Sequence, residues 1–353
     1  MADLFDYLDW RGDIPITSDG LNDVDRMILA QFSYLDIADL APDFGRTVTI
    51  GELCRGICED ARDDRFHLPN DRKLAKRLCD APRFSRLALT GFRERLDPER
   101  EEQFAALTVL LPDRTAVCVF RGTDWSLVGW KEDLNMALSD ELPAQLDAVA
   151  YLDDLASRYN SLIRVLGHSK GGNLAIYSAA FAKPRTARRV IEAVSLDGPG
   201  FSDRVLSSEG YRALEPRIRV ILPHSSLVGV IFAHTGRFTI VDSSAPRLMQ
   251  HDLYSWKVMG ASPIIMDSRD SSSIFIEGAL NEWISGLTPA QREGFIDGVW
   301  SLFDSIGVTD LPEVLEGRNT IALIRALAHS DDETRAVISD VLSRLRSTIR
   351  SRK

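Results

Sequence analysis

The sequence has no apolar run near the roughly 18 residues that a membrane helix needs. Its longest apolar stretches, such as residues 104–111, have only strand length. The chain begins Met1-Ala2-Asp3-Leu4-Phe5-Asp6, without the basic segment and apolar core of a secretory signal. A cytoplasmic protein with no stable membrane insertion is expected. Positive charge is in deficit too. Lys and Arg number 42 against 52 Asp and Glu, a net charge of −10, and the pI is about 5.2. A general nucleic-acid binder is usually basic, so no nucleic-acid partner is expected. Only four cysteines occur, Cys54, Cys58, Cys79 and Cys118. Cys54 and Cys58 would share one face of a helix, but neither Cys79 nor His67 completes a known metal-ligand spacing. Packed, reduced thiols and no metal are the expectation.

Repeats and low-complexity segments are absent. The phosphate-binding patterns G-x-x-x-x-G-K-[ST] and G-x-G-x-x-G are missing as well. What remains is a 353-residue chain, 44% hydrophobic and 27% charged, enough for a sizeable core in one large domain or two ordinary ones.

Periodicity organises that chain. Val24, Met27, Ile28, Phe32 and Leu35 recur at helical spacing after possible caps at Ser18, Asp19 or Asn22. A polar, charged region follows over residues 59–100, with a helix near 72–80. Residues 104–111 and 115–120 read as strands joined by the Pro112-Asp113 turn, a hairpin. A helix is expected at 142–159. Apolar strands follow at 162–166, 190–196, 218–222 and 238–241. Strands separated by helical stretches argue for βαβ units and a mainly parallel sheet. Beyond about residue 288 the pattern turns helical. In the last helix Ser330 can act as the cap, Asp331, Asp332 and Glu333 sit in the first turn, and Val337, Val341, Leu345 and Ile349 form a stripe. Arg344, Arg346 and Arg350 lie near its end and complement the helix dipole. That basic end could touch an anionic surface or be a solvated helix end.

One short stretch carries chemistry. Gly167-His168-Ser169-Lys170-Gly171 is a G-x-S-x-G with an apolar strand before it and a helical pattern after it. In that context the serine projects from a strained turn at the sheet's carboxyl edge. The Lys170 backbone N–H faces the place where an oxyanion would form. A phosphate cradle or a purely structural turn are the alternatives. Upstream, Arg121-Gly122-Thr123-Asp124 follows directly on a strand. Thr123 could supply a second oxyanion donor through its N–H or its hydroxyl, or Thr123 or Asp124 could cap the next helix.

Taken together, "VFRGTDWSLVGWKEDLNM" and "GHSKGGNLA" resemble the class 3 lipases of the α/β-hydrolase fold, which carry a similar order of F-R-G-T, W-x-x-D-L and G-H-S-x-G-G. The wider chain resembles the Mbeg-like bacterial proteins, a family without a settled function. The matching stretches are "DYLDWRGDI", "NDVDRMILAQFSYLD", "FRGTDWSLVGWKEDLNM", "GHSKGGNLAIYSA", "SLDGPGF", "LPHSSLVGVI" and "QHDLYSW", reaching from Asp6 to about Trp256. The resemblance implies Ser169 as nucleophile, with Thr123 and Lys170 as oxyanion donors. Lys170 departs from the lipases, which usually have an apolar residue there. It would suit an anionic substrate or intermediate, or else point to the surface.

Base and acid must follow the nucleophile. His224, His234, His251 and His329 come after Ser169. His251 lies beyond the last strand, where a base belongs, although a buried, hydrogen-bonded histidine is the alternative. His168 more readily supports the turn. In class 3 lipases the acid would stand near Ser225 or Ser226, where this chain has no carboxylate. Asp197, at the end of strand 190–196, is the favoured substitute. Asp242 and Asp252 are the others, and a Ser–His dyad oriented by Ser226 or a carbonyl remains open.

The expectation is an α/β-hydrolase fold in which residues 1–100 form a helical addition packed on a core of 101–287, and 288–353 a helical extension. Function is expected to be cleavage of a small-molecule or lipid ester through an acyl-enzyme on Ser169, without a cofactor. Acyl transfer, or a non-catalytic binding or scaffold role on the same fold, is the alternative. Residues 125–130 could wall the site or belong to the core.

Overall fold

Short, largely apolar segments build one large sheet. The computed structural model describes residues 2–60, 62, 65, 66, 68–124, 127–135, 141–308, 317–330 and 332–351. Among them, nine strands lie side by side in sequence order: β1 Val48–Thr49, β2 Ala88–Asp97, β3 Glu102–Leu110, β4 Thr115–Phe120, β5 Leu162–His168, β6 Val190–Leu196, β7 Ile218–Pro223, β8 Arg237–Val241, and finally Ile265–Met266. β3 and β4 are antiparallel, the hairpin that the sequence predicts. From β4 to β8 every neighbour is parallel. The strands predicted at 162–166 and 218–222 run two and one residues further, to His168 and Pro223.

β4 is buried along its whole length. Val117 and Val119 face one core layer with Leu107, Leu166, Val194 and Ile221. Cys118 and Phe120 face the other with Val165, Val220 and Leu222. A parallel strand covered on both sides needs apolar residues at both parities, so it reads as a continuous apolar run. The first layer is closed by helices from the N-terminal part, including Leu4–Arg11 and Asp23–Phe32. The second is closed by Pro143–Arg158 and Lys170–Phe181.

Asn22 is the cap of helix Asp23–Phe32: its side chain accepts from the Asp25 N–H, and Asp25 accepts in return from the Asn22 N–H. Ser18 and Asp19 belong instead to the short turn before it. β2 occupies part of the region that reads as polar. Its first half is buried, but Arg93, Glu94 and Arg95 break the apolar alternation. Arg93 pairs with Asp154 at 2.5 Å and Arg95 with Asp147 at 2.6 Å, so those charges sit on partners across the fold.

By internal contacts the chain divides into two units. One comprises residues Met1–Arg95, Phe104–Gly122 and Ala144–Ser273. The other comprises Leu96–Gln103, Thr123–Pro143 and Ile274–Lys353. Within the second, Trp283 Nε1 donates to the Val341 carbonyl at 3.0 Å and Lys131 pairs with Glu101 at 2.6 Å. No helix among the described residues is long and apolar enough to cross a membrane.

Candidate active site

Parallel register aligns the carboxyl ends of β4 to β7. Phe120 pairs with Gly167, His168 with Leu196, and Leu196 with Ile221. Residues 121–122, 169, 197 and 224–226 therefore all emerge at one edge. Open parallel sheets present their sites at that edge.

Ser169 is the turn between β5 and helix Lys170–Phe181. Its backbone sits at φ 57°, ψ −134°, a region that non-glycine residues rarely adopt and that costs of order 1–3 kcal/mol. The strain is over-determined by neighbours. The Ser169 N–H extends the ladder to the Leu196 carbonyl at 3.0 Å, and the Ser169 carbonyl accepts from Gly172 at 2.9 Å. A methyl group on Gly171 would overlap the Phe120 carbonyl, so only glycine lets the helix start this close to β4.

Asp197 continues β6 by one residue, at φ 48°. Its N–H donates to the Ile221 carbonyl at 2.8 Å. The carboxylate is fully buried. Oδ2 meets His251 Nδ1 at 2.7 Å. Oδ1 accepts from the Ser226 hydroxyl at 2.5 Å and from the Gly229 N–H at 3.2 Å. The loop after β7 thus has no carboxylate of its own over residues 224–236, but its Ser226 bonds the carboxylate of Asp197 at the end of β6. Ser225 is used differently, its hydroxyl donating to Asp270.

The remaining candidates are engaged elsewhere. Asp242 pairs with Lys257 at 2.7 Å. Asp252 caps the turn that follows, accepting from the Tyr254 N–H at 2.9 Å. His224 meets Gln250 at 3.3 Å, His234 the Gly229 carbonyl at 2.8 Å, and His329 the Arg325 carbonyl at 2.7 Å.

His168 is buried behind the serine. Its Nε2 donates to the main-chain carbonyl of His251 at 2.8 Å, and its Nδ1 meets the Tyr34 hydroxyl at 2.9 Å. A carbonyl can only accept, which places the proton on Nε2 and leaves Nδ1 to accept from Tyr34. Burial, and next the nearby His251, push its pKa well below the ordinary 6.5. The unfolded chain therefore binds a proton below about pH 6.5 that the native protein refuses. Stability contributed by the neutral ring is present above that pH and falls by up to about 1.4 kcal/mol per pH unit as the medium is acidified. Urea unfolding from pH 7 to pH 5 should show this slope in wild type and a shallower one in His168→Gln.

Two sequence expectations change. Lys170 does not point to the surface: only 1% of it is exposed. The Thr123 hydroxyl is taken, donating to Asp133 at 2.6 Å. Trp125 and Ser126, and the side chains of Leu127 and Trp130, lie outside the described residues, so the suggested wall at 125–130 does too. His67 also lies outside them. Cys54, Cys58, Cys79 and Cys118 are free thiols. Among the described residues no cluster of His, Cys, Asp and Glu is arranged to hold a metal. Tyr34 is what sequence reasoning missed. It lies within "NDVDRMILAQFSYLD", a stretch that carried the resemblance, but its partner is 134 residues away.

A large central sheet, parallel from β4 to β8 and flanked by helices, with a strained serine turn leading into a helix at its carboxyl edge, defines an α/β-hydrolase fold. The chain belongs to the Mbeg1-like family, whose sequence profile matches residues 78–301. Solved fungal lipases are similar to it at low identity. The native Rhizomucor miehei lipase propeptide complex is 18% identical with a TM-score of 0.39, over 61% of this chain and 66% of that one. A fungal lipase–inhibitor complex is 15% identical with a TM-score of 0.40, over 62% and 78%. Lipase II from Rhizopus niveus is 14% identical with a TM-score of 0.38, over 62% and 78%. The chain thus spans just under two thirds of the Rhizomucor lipase. No curated protein sequence shows significant similarity to the chain.

Proposed function

We propose that the chain is a serine hydrolase that cleaves a carboxylic ester, of a lipid or another acyl group, through an acyl-enzyme on Ser169. The observation that carries this reading is the 2.7 Å hydrogen bond between His251 Nδ1 and the buried Asp197, at the sheet edge where Ser169 turns. A carboxylate on Nδ1 fixes the proton there and leaves Nε2 to take the proton of a serine hydroxyl. Ser169 Oγ attacks the ester carbonyl. His251 takes the proton and returns it to the leaving alcohol, and water then releases the acyl group by the same path. The Lys170 N–H, at the start of the helix that follows Ser169, is proposed as the first oxyanion donor. The Thr123 N–H is proposed as the second donor from its place in the F-R-G-T stretch.

A fluorophosphonate probe tests the reading directly. Peptide mass mapping should find the adduct on Ser169, none in Ser169→Ala, and very little in His251→Ala. A folded wild-type protein that takes no adduct would make the chain a binding module on a hydrolase fold instead.

A further inference from the structure

We infer that Tyr34, from the N-terminal helical part, is a positioning residue of the ester-cleaving site, acting through His168 on the main chain of His251. The inference rests on the hydrolase reading of Ser169 and goes beyond it. Tyr34 precedes the residues that the family profile matches, 78–301.

Three contacts carry it. The Tyr34 hydroxyl meets His168 Nδ1 at 2.9 Å. The other ring nitrogen of His168 meets the His251 carbonyl at 2.8 Å. The two histidine rings lie 4.4 Å apart between centroids. His251 sits at the end of a single 3-10 turn, Arg247–His251, with no strand or long helix to fix it. Its ring is oriented by Asp197, but its main chain needs a separate anchor, and His168 provides one. Asp197 and His168 thus hold the same residue at two points, one on the side chain and one on the backbone.

His168 can serve as an anchor only in one tautomer. With the proton on Nδ1, a bare Nε2 would face the carbonyl oxygen, lone pair against lone pair. The Tyr34 hydroxyl, donating to Nδ1, favours the tautomer that has Nε2–H. Tyr34 is held in place by the strand end opposite. A methyl on Gly122 would overlap the Tyr34 hydroxyl oxygen and crowd Ser169 Cβ at 2.9 Å. The hydroxyl, Gly122 and the serine turn therefore form one close-packed group.

A shift of about 1 Å in a catalytic group can cost 10²-fold. Tyr34→Phe removes one oxygen from a half-buried ring and should lower kcat for a p-nitrophenyl ester, and the maximal rate of fluorophosphonate labelling, by about tenfold to a hundredfold. KM should hardly move, because no substrate contact is lost. His168→Leu should lose more, and His168→Gln, whose amide can still donate to the His251 carbonyl, should recover part of the loss. Rates are compared per folded molecule, with thermal unfolding measured in parallel. A merely structural role would lower Tm and leave kcat per folded molecule unchanged. If His168→Leu does not fold, Tyr34→Phe decides alone. Wild-type kcat in folded Tyr34→Phe would overturn the inference while leaving the hydrolase reading intact. A wild type that neither labels nor turns over would overturn both.

Discussion

Asp197→Asn should lower kcat/KM for ester cleavage by about 10⁴, the usual cost of losing only the orienting acid of a serine triad. The substitution is nearly isosteric. Asn keeps an oxygen for the Ser226 hydroxyl and the Gly229 N–H, which now bond Oδ1 at 2.5 Å and 3.2 Å. What changes is the group facing His251 Nδ1. An amide NH₂ there donates, so Nδ1 must accept, and the imidazole proton moves to Nε2. In that tautomer Nε2 cannot take the proton of Ser169. The fold should survive with a loss of about 1–3 kcal/mol, the cost of disturbing one buried hydrogen-bonded group. Steady-state hydrolysis of a p-nitrophenyl ester, normalised to folded protein, measures the effect. Asp242→Asn is the matching control. Asp242 pairs with Lys257 rather than His251, so its loss should leave turnover within about threefold. A loss under tenfold in Asp197→Asn would remove Asp197 from the mechanism and leave the serine to a dyad.

The difference between those two aspartates shows what the sequence could and could not reveal. Strand positions were legible because β4 to β7 are buried on both faces and read as plain apolar runs. The serine turn was legible because its glycines, strand and helix are contiguous in the chain. The acid was harder. The lipase resemblance pointed to Ser225 and Ser226, where no carboxylate exists, and only the spatial alignment of β6 with β7 shows Ser226 bonded to Asp197. Chain order alone could rank Asp197, Asp242 and Asp252 but could not see that Lys257 occupies one and a turn cap the next. β2 was hidden because its outer half carries charges whose partners, Asp147 and Asp154, are some fifty to sixty residues away. Tyr34 was hidden for the same reason. A hydrogen bond between residues 34 and 168 leaves no periodicity in either segment.

Arg83→Met should destabilise the protein by about 3–5 kcal/mol, the usual cost of leaving one partner of a buried ion pair alone. Arg83 and Asp25 are both fully buried. Arg83 Nε donates to Asp25 Oδ1 at 2.6 Å and Nη2 donates to Oδ2 at 2.5 Å, a two-point pairing. The same guanidinium reaches Asp19 at 2.9 Å and the carbonyls of Ile14 and Gly20 at 3.0 Å and 2.8 Å. Methionine fills much of the volume but satisfies none of these acceptors. Asp25 keeps the Tyr7 hydroxyl and the Asn22 N–H, yet its charge loses the two bonds from the Arg83 guanidinium. The urea midpoint should fall with little change in slope. Arg83→Met combined with Asp25→Asn should recover part of the loss, since the stranded charge goes with the acid. A double variant no more stable than the single would place the cost in lost packing instead. Asp25 also closes the capping box of helix Asp23–Phe32, the helix that leads into Tyr34. Loosening that helix should therefore slow labelling of Ser169 in the fraction that remains folded, by the same route as Tyr34→Phe. An Arg83→Met protein that labels at the wild-type rate per folded molecule would show that the ion pair supports the fold without reaching the site.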